Sequence, residues 1–460
     1  MASPNSLKAP RLIQQMWWVA DPIGYMETAV RDNPDIFEAK VIGSAGALIF
    51  VNDPQAIQEI LTSDRKQYAA PGELNMILSP LLGDSSVIML EGDRHRQRRQ
   101  LLMPPFHGER MRAYGHLIQE LATEVFSQFP VGQPFSARQA MQDISLQVIL
   151  ETVFGLREGE RLQQLKQLIV SMAEMFRSPL SSSPLFFPIL QQDWGTWSPW
   201  GKFVSDRAKI DQLLYAEIAE RRTKAGGDRI DILSLLMSAR DENGQAMTDQ
   251  ELRDELMTLL FAGHETTATA MSWAIYWTHH LPHVREKLLQ ELDALGDHPD
   301  PTSIFRLPYL TAVCNETLRI HPVGMLTFPR VARKPVKLLG QTLEPGAIVV
   351  GCMYLVHQRE DLYPEPKQFR PERFLERQFS PYEFIPFGGG SRRCIGEALA
   401  LFEMKLVLAT LLSRYSFALT DRQPEVPRRR GVTLSPKNGV KIKITGQRTR
   451  QETPMVVGAK

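Results

Sequence analysis

The segment that most constrains this chain starts at Thr248-x-x-Glu251, which has the form of a helix capping box. An apolar-rich run continues from there to His280 and stops at Pro282. About 30 residues in helix span ~45 Å, against roughly 11–12 residues for a mean globular helix. The first turns are amphipathic. From Met257 onward, apolar residues occupy nearly every face, so the helix is expected to cross a core rather than lie on one. Housing such a helix requires a large body. A chain of 460 residues, 43% hydrophobic and 23% charged, can supply one.

The middle of this helix reads Phe261-Ala262-Gly263-His264-Glu265-Thr266-Thr267. A glycine there costs about 1 kcal/mol against alanine. Threonine is a middling helix former, and an acid in a core is costly unless paired. Several local rules broken within one turn mark a site. The alternative is a solvated kink with a back-bonded threonine. A zinc-protease helix is excluded, because Ala268 stands where His-Glu-x-x-His needs its second histidine.

The three cysteines, Cys314, Cys352 and Cys394, are far apart and odd in number. That excludes a disulfide framework and a Cys-x-x-Cys metal knuckle, and it fits a reducing compartment. Cys394 lies in Phe384-Ile385-Pro386-Phe387-Gly388-Gly389-Gly390-Ser391-Arg392-Arg393-Cys394-Ile395-Gly396, ahead of an apolar helix over 397–415. The glycines allow tight turns and close approach to a flat group. Amide donors, the helix dipole, Arg392 and Arg393 should favour thiolate over thiol. One thiolate in a glycine-rich loop suits a single axial bond to iron. The alternative is a buried structural cysteine. Phosphate-loop patterns do not fit this run.

Lys and Arg number 53 and Asp and Glu 52, a net charge of +1, which argues against holding nucleic acid by bulk charge. Residues 1–10 are polar, and Met16-Trp17-Trp18-Val19-Ala20 is too short for a secretory signal core. No stretch offers about 20 uncharged apolar residues, so a cytoplasmic protein without a transmembrane anchor is expected. The tryptophan pair reads as core packing. A strand is expected at 47–51, followed by a helix opened by Asn52-Asp53-Pro54. Amphipathic patterns cover 111–155 and 158–176. The Ser-, Pro- and Trp-rich stretch 177–202 reads as an interhelical loop or a substrate lid. Hairpins are expected around Glu344-Pro345-Gly346 (336–339 with 347–350) and around Asn438-Gly439 (432–444). Residues 447–460 read as a frayed tail.

Four motifs in order resemble the cytochrome P-450 family. Phe387-x-x-Gly390-x-Arg392-x-Cys394-x-Gly396 resembles its haem-binding loop, and Ala262-Gly263-x-Glu265-Thr266-Thr267 its oxygen-activating central helix. Glu316-Thr317-Leu318-Arg319 resembles its Glu-x-x-Arg motif, and Phe369-Arg370-Pro371-Glu372-Arg373-Phe374 the stretch that supplies a second arginine. The resemblance implies a mainly α fold filling 1–446, with a long central helix and a small β-rich part at about 40–52 and 330–355. It implies a soluble bacterial, cyanobacterial-like haem-thiolate monooxygenase. Such an enzyme inserts one oxygen atom from O2 into a lipophilic substrate, by hydroxylation or epoxidation of a fatty acid, alkane or terpenoid. A peroxide-dependent or rearranging enzyme and a non-catalytic haem-thiolate sensor are the alternatives; an intact Glu265-Thr266 pair argues against both.

The resemblance also implies roles. Cys394 is the axial ligand of haem b, and Thr266 and Glu265 serve oxygen and proton handling. Gly263 leaves room beside the porphyrin face. Phe387, Gly388, Gly396 and Ala262 contact the haem, and His95, Arg99, Arg330 and Arg392 serve its propionates. Glu316, Arg319 and Arg373 form a structural triad. Arg94, Arg96 and Arg98 point elsewhere, towards an acidic redox protein. Met76, Ile77, Leu78, Phe261, Met325, Leu326 and Phe328 line an apolar substrate pocket. With no residues left for a flavin or iron–sulfur module, electrons come from a ferredoxin or flavodoxin and an NAD(P)H-dependent reductase. A monomer is expected.

Overall fold

The computed structural model describes residues 7–41, 46–63, 66–106, 109–155, 158–175, 183–186, 190–223, 229, 231–297 and 299–449. Its central helix runs over Asp249–His280, 32 residues, with both halves of the capping box formed. The Glu251 amide donates to Thr248 Oγ1 (3.2 Å) and the Thr248 amide to Glu251 Oε2 (2.9 Å). Charge pins the first turns. Arg98 reaches Glu251 (2.5 Å) and Glu255 (2.9 Å), and the Ser85 amide donates to Asp254 (2.9 Å). Arg98 is therefore buried against the central helix and is not offered to a redox partner; Arg94 and Arg96 are exposed. Sequence spacing placed Arg98 on a basic helix but could not show the two acids 153 and 157 residues away.

Beyond these turns the helix is buried on most sides, as its composition implied. It packs along Ala137–Phe154. A Cβ on Gly263 would lie 2.8 Å from Ile149 Cδ1, so any larger residue here would have to displace that side chain between the two helices. The main core cluster gathers around this pair and the helix Glu397–Arg414.

The β-rich part is a five-stranded sheet in the order Ile36–Ala39, Leu48–Val51, Ile348–Gly351, Arg330–Ala332, Tyr68–Ala69. Leu48–Val51 and Ile348–Gly351 run parallel; the other pairs are antiparallel. Asp53 caps the next helix, Pro54–Thr62, accepting from the Ala56 amide at 2.7 Å. Trp18 is buried edge-on against Tyr25 and Phe50 in a core on one face of this sheet, as core packing predicts.

Three local expectations change. The 111–155 pattern is two helices, Glu109–Ser127 and Ala137–Phe154, separated by the strand Pro134–Ser136. Val336–Leu338 pairs with Gln341–Leu343 around Leu339-Gly340, while Glu344-Pro345-Gly346 leads instead into the five-stranded sheet. The 432–444 hairpin does not form. Thr433–Pro436 pairs with Pro427–Arg430, and Lys441–Gln447 with Tyr415–Leu419 and Pro134–Ser136. Asn438-Gly439 instead lies in the bend that joins strands of two different sheets. Of 177–202, residues 177–182 and 187–189 lie outside the described residues; Trp194 and Trp197 are exposed and stacked on each other. The tail beyond 449 also lies outside them. No helix among the described residues is long and apolar enough to cross a membrane.

Candidate active site

The loop before Glu397–Arg414 turns at Gly388 (φ +67°) and Gly390 (φ +65°), a backbone region that disfavours any side chain. The turn brings the Cys394 amide back onto the Phe387 carbonyl at 3.0 Å. Gly396 is the N-cap of the helix. Cys314 and Cys352 are buried, and burial pushes both thiols up to about 12, as befits core residues. Cys394 differs, because its side chain is accessible to solvent.

The surroundings of Cys394 act on the thiol in both directions. Burial among protein atoms is the largest influence and pushes the thiol up. The Gly396 amide, Arg99 and Arg393 act the other way, and Glu397 adds to the rise. An iron bonded to the sulfur would add positive charge that favours the thiolate further. Among the described residues no cluster of three or more His, Cys, Asp or Glu could hold a metal by itself.

Cations converge on this loop from three elements. Arg392 is buried and donates to the carbonyls of Ala70 (2.6 Å), Val87 (3.0 Å) and Leu90 (2.5 Å). Arg99, from the helix Gly92–Leu102, donates to the Arg393 carbonyl at 2.5 Å. His95, one turn earlier on that helix, is buried. Arg330 begins its strand, fully buried, within 3.4 Å of the Gly389 carbonyl. One accessible thiol amid buried cations fits a flat, dianionic, iron-bearing group bound through a single sulfur.

Behind the loop, Glu316 accepts from Arg319 Nε (2.6 Å) and Nη2 (2.8 Å), Arg373 Nε (3.1 Å) and the Arg370 amide (2.8 Å). Arg319 also donates to the His357 carbonyl (2.7 Å), and His357 Nε2 accepts from the Ile385 amide (3.0 Å). His357 is neutral: burial, then Arg319, lowers it to about 3. It is the link between triad and loop that sequence reading missed, having no motif spacing of its own.

On the central helix, Thr266 donates to the Ala262 carbonyl at 2.6 Å, the back-bonded arrangement. Ala262 is nevertheless exposed, in the middle of a helix buried on most sides. Glu265 faces away from the helix axis into a clamp of Arg138, Arg430 (2.9 Å) and Gln142 (2.5 Å). Burial raises its pKa, but the two arginines outweigh that and hold the carboxyl below its usual range. The clamp residues lie 127, 165 and 123 positions away, beyond any spacing rule.

The expected pocket residues divide. Ile77, Leu78 and Phe261 pack half-buried against the main core, and Phe328 is half-buried. Met325 is buried, and Leu326 packs, in the separate core around Trp18. Met76 is 51% exposed.

A thiol-bearing glycine loop, a long buried helix carrying an acid–alcohol pair and a buried Glu–Arg–Arg brace are the features of a haem-thiolate oxygenase. The chain belongs to the cytochrome P450 family, whose profile matches residues 39–444. It is an oxygen-incorporating oxidoreductase with a haem cofactor that works with O2 and electron-transfer partners. Among similar proteins, "Putative cytochrome P450 135B1" of Mycobacterium bovis is 35% identical over 95% of this chain and 91% of its own. "Putative cytochrome P450 138" of Mycobacterium tuberculosis is 33% identical over 95% of both. The structure of retinoic acid-bound cyanobacterial CYP120A1 superposes with a TM-score of 0.84 at 25% identity, covering 96% of this chain and 99% of that one. The heme domain of cytochrome P450DA also gives 0.84, at 22% identity, over 97% and 98%.

Proposed function

We propose that this P450 oxygenates a lipophilic small molecule, of fatty-acid, alkane or terpenoid character, with electrons from a ferredoxin or flavodoxin and its NAD(P)H-dependent reductase. Cys394 is the axial ligand of haem b. Arg99, Arg330, Arg392 and His95 hold its propionates, and Phe387, Gly388, Gly396 and Ala262 lie against it. The observation that carries this reading is the approach of Arg99 and Arg330 to the loop carbonyls of Arg393 and Gly389, with Arg392 of the same loop beside them, around the accessible Cys394. When bound, thiolate-ligated haem activates dioxygen for insertion into unactivated bonds.

The chain's own residues manage substrate and protons. Ile77, Leu78, Phe261 and Phe328 supply apolar surface that favours a greasy substrate and excludes water. A solved relative at 25% identity holds retinoic acid, a lipophilic acid. Thr266, with its proton on the Ala262 carbonyl, offers Oγ1 lone pairs to a water or a protonated oxygen. Glu265 is an ionised acceptor one residue away and passes protons by exchanging partners within its clamp.

Thr266→Ala tests this assignment. Haem content and the reduced carbon monoxide spectrum should stay at parent values, while reductant consumption should exceed product formed. Fully coupled turnover in this variant contradicts the proton-handling role. A spectral titration with lauric acid, hexadecane and retinoic acid tests the substrate class; no spin-state response to any of them, with a response to polar compounds, contradicts it.

A further inference from the structure

A second cavity, of about 680 Å³, opens between the start of the helix Ala137–Phe154, the paired strands Pro427–Arg430 and Thr433–Pro436, and His264 of the central helix. Its charge is unbalanced although the whole chain is nearly neutral. Arg138, Arg428, Arg430, Lys437 and Lys441 line it, against the carboxylates Asp143 and Glu174 and, beneath them, Glu265. Arg429 also borders it, but its guanidinium turns away, 5.3 Å from the Trp18 ring and 2.7 Å from the Trp18 carbonyl.

Two features make this more than a solvated basic face. First, two arginines at its floor crowd one carboxylate oxygen. Arg138 and Arg430 share the single oxygen Oε1 of Glu265; Glu174 is 3.7 Å from Arg430, and the buried Arg138 Nε has no acceptor. Second, Arg428, Lys437 and Lys441 stand exposed at the rim of the concavity with no ion-pair partner among the described residues. Like charges held around one concavity repel unless an anion enters, and field focusing in a cleft raises local anion concentration. Leu146, Val170 and Ala173 add a small apolar wall.

We propose that this cavity binds a small dianion of the phosphate-monoester class, its oxygens on Arg428, Lys441 and Arg138 and its organic part against Val170. The site lies behind the central helix and is distinct from the Cys394 loop. It does not depend on the substrate class proposed above.

The test is calorimetric titration of the haem-loaded full chain with glycerol 3-phosphate, repeated with Arg428→Glu, Lys441→Glu and Lys441→Arg. Neither position belongs to the haem or substrate machinery, so the reduced carbon monoxide spectrum should be unchanged in all three. Saturable binding is expected in the parent, weakened about tenfold or more by each charge reversal, as for one lost charge-assisted hydrogen bond. Lys441→Arg should retain it. A parallel titration with phosphatidylcholine vesicles containing phosphatidic acid separates a headgroup from a free ligand. No binding of glycerol 3-phosphate, binding indifferent to both reversals, or binding to vesicles alone would each overturn the proposal.

Discussion

Glu316→Gln is the most informative single change in the framework. Glu316 is fully buried and accepts four hydrogen bonds: two from Arg319, one from Arg373 and one from the Arg370 amide. Glutamine keeps the shape and removes the charge. Two guanidiniums, both buried, then face each other without a counter-ion, at a cost of about 3–5 kcal/mol. For 460 residues the unfolding entropy is roughly 1 kcal/mol/K, so Tm should fall by about 3–5 °C. The damage should also be local. Arg319 holds the His357 carbonyl, and His357 holds the Ile385 amide at the start of the Cys394 loop. A scanning melt of the haem-loaded protein gives the first quantity. The share of the reduced carbon monoxide band lost to a non-thiolate position gives the second. An unchanged Tm with an intact band would refute the argument that the triad braces this loop.

Other outcomes follow from the same contacts. Gly263→Ala places a methyl 2.8 Å from Ile149 Cδ1 and should destabilise by about 1–3 kcal/mol; Ile149→Val in the same chain should recover much of that in thermal melts. Glu403 is buried on Glu397–Arg414, and burial pushes its carboxyl from 4.5 to about 8. The folded state thus holds a proton that the unfolded chain has lost, so this contribution is complete below pH 4.5 and disappears as pH rises to about 8. Glu403→Gln should raise Tm at pH 8 and leave it nearly unchanged at pH 4.5, read from melts across that range. His321 and His357, lowered by burial to about 3, have the opposite sign. Their contribution is present above the unfolded value of 6.5 and lost as pH falls towards 3, so His357→Gln should flatten the acid limb of a Tm–pH curve.

What the sequence made legible was local or tied to a motif. The central helix declares its own start through Thr248 and Glu251 and its burial through composition, and the Cys394 loop through its glycines. What it concealed was pairing between distant segments. The strand at 441–447 has the alternation of a hairpin partner, but its neighbours are 415–419 and 134–136, and period alone cannot choose among them. Arg98 looked like surface charge because the run around it is basic; its acids belong to another helix. The Glu265 clamp was hidden for the same reason. The arginines beside Cys394 are visible in sequence, whereas the burial that opposes them, raising the thiol, depends on how the fold encloses the sulfur.

The central claim is that Cys394 alone carries the iron. The direct measurement is the spectrum of the purified, dithionite-reduced protein under carbon monoxide, compared with Cys394→Ala. The parent should show the red-shifted Soret band of thiolate ligation, and Cys394→Ala should lose it, while Cys314→Ala and Cys352→Ala keep it. Persistence of that band in Cys394→Ala would contradict the assignment.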